Sequence, residues 1–542
     1  MRKLTSTAAA LTAAGALLLT ACGGSGDDDA SATPRPGGTL VYATGDDEPT
    51  CLDPQQRGNV PQALLATQYL QTLFFQDDKG EILPWLATSW TEAPDHLSWT
   101  VELRDDVRFS DGTPFDAAAV KTNIERVLDP ETGSTTGRLA LSKVAAVQVP
   151  APHTARIELK EPDSALLESL SMVWLPMQSP AALARGLTAN CESPVGTGPF
   201  TVESWHRQDS VTLVRNANFT TPPPGSAHTG PAYLDRITWR FVPDGTSRFA
   251  ALQSGQADVV DVLEPQHAVA AKGNPNLAVT IAARPGKPVQ LELNTTRAPF
   301  DDASVREAFW ASVDIDAALA SVYLGTTERA TSPLSSSTRY AADTIRDTYD
   351  PAKAAALLDA AGWTGRDGDG IRTKDGRRLT VSLPYTTAIP LQPGVYEQIQ
   401  ATAKKSGFDV ELRPLDTAKW WIANNEWDYD ALPMYYTKNS PDVLRITYHS
   451  AANADATPNS YHANNVHLAD PEVDRLLTEA GQTTDEAVRA DLYRRVQQTL
   501  ADGHYILPVH DQQTRIGAQK KVKGIRLLPS LALPSFYDTW IG

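Results

Sequence analysis

Helix-period and strand-period segments alternate along most of this chain, which predicts an α/β protein of more than one domain. Three observations carry that reading. Residues 395–405 have helical spacing and stop at Gly407, residues 408–412 read as a strand, and residues 417–425 return to a helix behind an Asp416 cap; helices and strands alternating in this way imply a mixed α/β lobe with crossover connections. The stretch PVGTGPF, residues 194–200, makes a tight turn and leads into the alternating hairpin of residues 201–216. At 542 residues the chain has room for about three or four domains of about 150 residues.

Hydrophobic content of 41% with 21% charged residues is that of an ordinary soluble globular protein. The formal charge of −17 becomes −19 when Arg2 and Lys3 leave with a cleaved leader. With no basic face to neutralise phosphates, nucleic acid is excluded as a partner. The N-terminus reads as an address: Arg2 and Lys3 precede an uncharged Ala/Leu/Thr-rich run over residues 4–19, and Leu19-Thr20-Ala21-Cys22 resembles the lipobox of bacterial lipoproteins. Residues 1–21 are therefore expected to be a signal peptide and Cys22 the lipidated first residue of the mature chain. Residues 22–37 have almost nothing to bury and read as a flexible tether.

Taken in order, residues 38–43 alternate as a first strand, and residues 60–75 carry apolar residues at helical spacing. Residues 98–103 form a strand, residues 110–113 a turn, and Asp116 caps a helix containing Val120, Ile124 and Val127. Asp111 is read as a turn residue and not a catalytic acid, since no second acid or histidine stands at a useful spacing. Asp258 and Asp261 open a strand and read as solvated or hydrogen-bonded loop carboxylates. Residues 305–323 show one apolar helical stripe, Asp350 and Pro351 start a further helix, and Asp367 and Asp369 belong to a hairpin, lacking the further ligands of a calcium loop. His462 and His467 are read as solvated loop histidines.

PVGTGPF with the strand and Arg215-Asn216 behind it resembles the signature of family 5 extracellular solute-binding proteins, the dipeptide, oligopeptide and nickel receptors of ATP-driven importers. Leu52-Asp53-Pro54, the blocks at residues 83–90 and 97–127, YDPAK at 349–353 and Asn439-Ser440-Pro441-Asp442 are similar to the same family in the same order. The resemblance implies a two-lobed type II periplasmic-binding-protein fold with the ligand cleft between the lobes. It implies residues 38–82 and 194–286 as the first lobe, 83–193 as an extra domain, 287–508 as the second lobe and 509–542 as the return to the first. It further implies a monomer that works with permease subunits, without metal or cofactor. An exported chain with Cys51 and Cys191 left over favours their disulfide, with two buried thiols the alternative.

Residues 427–448 are the most aromatic in the chain, and Trp427, Tyr429, Tyr435, Tyr436 and Tyr448 suit either a solute cleft or core packing. The resemblance adds Gly58, Asn59, Tyr385, Asn439 and Asp442 to the ligand-facing set. It also puts Thr437 where dipeptide receptors carry an aspartate for the peptide ammonium, and Thr386 where they carry an arginine for the carboxylate. Peptide, metal chelate, oligosaccharide and other polar organic solutes all stay open. A hydrolase is the rival reading, but no Gly-x-Ser-x-Gly, His-Glu-x-x-His or Gly-x-x-x-x-Gly-Lys element occurs; a solute-sensing or partner-binding lipoprotein is another.

Overall fold

Strand Thr39–Thr44 lies inside a seven-stranded sheet, parallel to both of its neighbours, Val259–Val260 and Arg236–Phe241. Alternation decides its two faces. Leu40 and Tyr42 enter one core with Trp239, Leu213 and Phe536, while Ala43 enters another with Phe249, Leu252 and Leu263. The computed structural model describes residues 33–346, 349–454 and 462–542, and residues 35–542 form one unit. Cys22 and most of the tether lie outside the described residues.

Two short crossings join this sheet to a second α/β body. From strand Leu277–Ala283 the chain passes through Arg284 and Pro285 into Gly286–Leu293, the central strand of a sheet flanked by Ala431–Thr437 and Ile506–His510. It returns from His510 through Asp511 and Gln512 into Gln513–Gln519 of the first sheet. The second body has its own core, in which Leu291, Phe309, Leu383, Tyr396 and Leu477 are buried. Two lobes linked by so few residues can rotate about those crossings.

Between residues 87 and 159 a four-stranded antiparallel sheet packs on helix Ala117–Leu128, whose cap Asp116 accepts from Ala119 N at 2.8 Å. Buried Asp53 ties this domain to the first lobe, because its carboxylate accepts from Arg126 at 2.6 Å, Gln178 at 2.7 Å and Asn190 at 2.9 Å. Nearby, Cys51 and Cys191 are joined in a disulfide with their Cα atoms 4.8 Å apart. Asp111 is a turn residue here, accepting from Thr113 N at 2.9 Å and from Ser179 Oγ at 2.5 Å. Asp367 likewise accepts from Asp369 N and Ile371 N in a hairpin turn, and Arg378 neutralises Asp367 and Asp369.

Three readings of local structure change. The helix expected over residues 60–75 ends at Ala66, since Tyr69 O and Gln68 O are taken by Gly198 N and Phe200 N. Those bonds also explain PVGTGPF. A Cβ on Gly198 would stand 2.5 Å from the Tyr69 carbonyl carbon, and one on Gly196 2.4 Å from Tyr69 O, so these glycines permit close backbone approach and not only a turn. The stripe over residues 305–323 is two helices, Ala303–Ser312 and Ile315–Tyr323, divided where Asp314 leaves the helix to cap the second by accepting from Ala317 N.

Candidate functional site

Strands Thr39–Thr44, Val259–Val260 and Leu277–Ala283 run in one direction, the last through two antiparallel steps across Gln513–Gln519. Their carboxyl ends therefore bring Asp46, Asp261 and Arg284 to one edge of the first lobe, the edge at which open α/β sheets hold ligands. The second lobe meets this edge at once, because Gly286, two residues after Arg284, is the register partner of Thr437, which ends the strand carrying Tyr435 and Tyr436.

The loop after the first strand is held firmly. Asp261 accepts from Tyr42 Oη at 2.7 Å, Thr44 Oγ1 at 2.9 Å and Gly45 N at 2.7 Å. Arg248 donates to the carbonyls of Val242, Pro243, Asp261 and Val262, and a Cβ on Gly45 would meet its guanidinium at 2.5 Å. Asp46 projects from this support. Its Oδ2 is fully covered and has no hydrogen-bond partner among the described residues. Burial pushes the Asp46 carboxyl up to about 7, with the Asp261 charge adding and Arg284 and Arg248 opposing. Burial also raises the Tyr435 phenol on the second lobe, with the charge of Arg284 opposing and that of Asp46 adding. Arg284 donates through Nε to Thr514 Oγ1 at 2.8 Å, and its terminal nitrogens donate to no described group.

The residues expected to read a ligand are spread over several places. Tyr435, Tyr436 and Thr437 stand beside the crossing, with Thr437 Oγ1 donating to Gln512 Oε1 at 2.6 Å. Tyr385 stacks on Tyr396 with ring centroids 4.4 Å apart, and Thr386 is buried with its hydroxyl 3.4 Å from that of Thr417. Asn59 caps helix Val60–Ala66 by accepting from Gln62 N, and its carbonyl accepts from Trp174 Nε1 at 3.1 Å. Gly58, beside it at φ +82°, would press a Cβ against Thr136 and Trp174.

Trp427, Asn439 and Asp442 require correction. Trp427 lies beyond the opposite end of strand Ala431–Thr437, about 20 Å from the crossing at roughly 3.3 Å per residue. There it stacks on His467 at 4.1 Å and packs on His462 at 4.4 Å. His462 is 1% exposed and not solvated, its ring nitrogens lying 2.8 Å from Ala454 O and 3.0 Å from Asn425 O. Asn439 is consumed by a buried contact with residues 163–171, and Asp442 by an ion pair with Arg445. Asn439 Nδ2 donates to Glu168 O and Ser171 Oγ, while Arg445 grips Asp442 through Nε at 2.7 Å and Nη2 at 2.9 Å. Burial alone would raise the Asp442 carboxyl, but Arg445 and Lys438 hold it below its ordinary value. Asp258 and Asp261 are buried hydrogen-bonded carboxylates, the solvated alternative being excluded by their strand-edge packing.

Asp46 and Arg284 were not among the sequence-derived candidates. Asp46 sits in a run of three acids after the first strand and Arg284 precedes a proline, and neither pattern marks an inward side chain. A cavity of about 620 Å³ lies elsewhere, between Ala283, Asp511, Gln513 and residues from Gly325 to Asp343, and holds none of the expected ligand-reading residues. The cleft edge is the better candidate because it stands beside Tyr435, Tyr436 and Thr437, although unpartnered charged atoms occur at both places, Asp46 Oδ2 at the edge and Asp511 Oδ1 and Arg329 Nε at the cavity. Among the described residues no group of three or more His, Cys, Asp or Glu is arranged to hold a metal ion.

Comparison with known proteins adds to this geometry. Residues 81–458 match the family described as bacterial extracellular solute-binding proteins, family 5 Middle. The chain is 29% identical over 500 residues to the glutathione-binding protein GsiB of Escherichia coli, covering 90% of this chain and 92% of that protein. It is 30% identical over 496 residues to the nickel-binding periplasmic protein of the same species, covering 87% and 90%. Among solved structures, NikA from Brucella suis in complex with Fe(III)-EDTA aligns with a TM-score of 0.81 at 25% identity over 93% of this chain and all of that one. AppA from Bacillus subtilis, in complex with a nonapeptide, aligns with a TM-score of 0.77 at 21% identity and shares the fold.

Proposed function

This chain belongs to the family 5 bacterial extracellular solute-binding proteins, and from that premise we propose that it is the lipid-anchored receptor of an ABC importer, capturing a polar organic solute by lobe closure and presenting it to permease subunits as a monomer. The observation that carries the reading is the convergence of Asp46 and Arg284 from the first lobe with Tyr435 from the second, across a crossing of two residues. A solute that touches both lobes binds the closed state better than the open one, and only that difference shifts the equilibrium. Moving it from 1:99 to 99:1 takes about 5.5 kcal/mol.

The relatives are binding proteins named for glutathione and nickel, which supports a role in binding and not in turnover. The sheets support residues 83–193 as an extra domain and residues 287–508 as the second lobe. Thr386 and Thr437 supply hydroxyls where dipeptide receptors carry charges, and burying a charged peptide terminus without a partner costs several kcal/mol. Simple dipeptides should therefore bind weakly, and solutes that stack on Tyr435 or Tyr436 should bind better. Native mass spectrometry of protein purified without denaturation should show a retained small solute, and small-angle scattering should show contraction when it is restored. A chain with no retained mass that neither contracts nor binds any of a broad solute panel would sink the reading.

A further inference from the structure

The half-buried Asp46, its Oδ2 covered, restricts the solute further, an inference that rests on the cleft being the solute site. Asp46 Oδ2 is covered and accepts no hydrogen bond from any described residue, a costly state for a carboxylate unless something completes it. Arg284 stands at the same edge with its terminal nitrogens undirected, since only Nε is engaged. The two feel each other's charge yet form no ion pair within 4.0 Å, so a gap separates an acceptor from a fork of donors. Both come from the first lobe, and Tyr435 approaches from the second.

We infer that the solute carries an α-amino-acid head, a protonated amine and a carboxylate on one carbon, whose amine donates to Asp46 and whose carboxylate accepts from Arg284. A head of this kind carries both charges on one carbon, so two side chains on one edge of one lobe bind both. The termini of a dipeptide are farther apart by a whole residue, about 3.8 Å. The remainder of the solute runs toward Tyr435 and Tyr436, where the tolerance for size and shape resides. This arrangement reads charge from the first lobe, while the positions that read peptide termini in dipeptide receptors, Thr386 and Thr437, sit in the second and are neutral here.

Proton release provides an independent signature. Asp46 lies among Asp261, Asp47, Tyr42 and Tyr435 on the acidic side and Arg284 and Arg248 on the basic side, with its carboxyl near 7 by burial and the Asp261 charge. A cationic amine arriving beside it favours the ionised form, so binding near pH 7 should release part of one proton.

The test is calorimetric titration of the mature protein with the twenty protein L-amino acids and glutathione, and of each binder's N-acetyl and α-carboxamide derivatives. At least one member should bind, with acetylation and amidation each weakening it tenfold or more. Asp46→Asn should abolish discrimination against the acetylated form and the proton release seen between buffers of different ionisation enthalpy, while keeping discrimination against the amide. Arg284→Gln should do the reverse. Failure of every panel member to bind, or equal affinity for the blocked forms, overturns the proposal. A retained solute without an α-amino-acid head would also overturn it while leaving capture by closure intact.

Discussion

Glu168→Gln should loosen the closed state, because this residue lies where residues 163–171 are clamped against the second lobe. Ser440 Oγ donates to Glu168 Oε2 at 2.5 Å, and Arg489 Nη2 stands 3.4 Å from Oε1, all three residues being buried. Removing one partner of a buried charge pair leaves the other uncompensated, at a cost of about 3–5 kcal/mol. The 3.4 Å spacing is longer than a good charge-assisted bond, and glutamine keeps an acceptor for Ser440, so the low end, about 3 kcal/mol, applies. These bonds bridge residues 163–171 and the second lobe, so the loss falls on the form in which the two are in contact. At about 1.4 kcal/mol per tenfold, the apparent affinity for the retained solute should fall roughly a hundredfold. Calorimetry measures the affinity and small-angle scattering the shift toward the open form. Arg489→Met in the same background should recover part of the loss, since it removes the stranded cation. Affinity within twofold of wild type and an unchanged scattering curve would refute the clamp.

Other outcomes are equally direct. Cys22→Ala should abolish acylation and release the body from membranes or leave an unprocessed precursor, whereas an unchanged acylated mass would contradict lipidation there. The Cys51 to Cys191 bond, spanning 140 residues, should contribute about 5 kcal/mol on the chain-entropy model; thiol labelling of the denatured, unreduced protein should find both cysteines blocked, and two free thiols would be the contrary result. Gly198→Ala should cost about 2 kcal/mol or more in denaturant titration because the obstructing atoms are Tyr69 backbone, while Gly368→Ala, with open space around it, should stay within about 0.5 kcal/mol. Burial pushes the His510 imidazole down to about 4, where Tyr323 Oη lies 2.9 Å from Nε2. A depressed histidine contributes stability above its unfolded value of about 6.5 and loses it as pH falls through 4, so up to about 3 kcal/mol should disappear across that window. His510→Phe should lack this slope, and parallel stability curves for the two proteins from pH 7.5 to 4.5 would contradict the assignment. Asp46 and Asp163, raised by burial to about 7 and about 6, act in the opposite direction, which is why the difference between the two proteins is the quantity to measure.

The sequence by itself determined the family, the α/β class and many element boundaries, because those follow from local patterns. Asp116 and Asp416 cap the helices they precede, and Gly407 at φ 101° ends Pro393–Ser406. Periodicity could not show where a helix yields to tertiary competition. Gln68 and Tyr69 give their carbonyls to Phe200 and Gly198, contacts more than a hundred residues distant, so the expected helix stops at Ala66. The candidate site was the least legible part. An aromatic-rich segment suggests a cleft, yet Trp427 and Tyr435 belong to the same segment and stand at opposite ends of one strand, a separation that only register against Gly286–Leu293 reveals. Asp46 and Arg284 are more than two hundred residues apart and come to the same edge only because their strands run in one direction in one sheet. Burial then makes Asp46 chemically distinct from Asp47, which is exposed, although nothing in their order distinguishes the two acids.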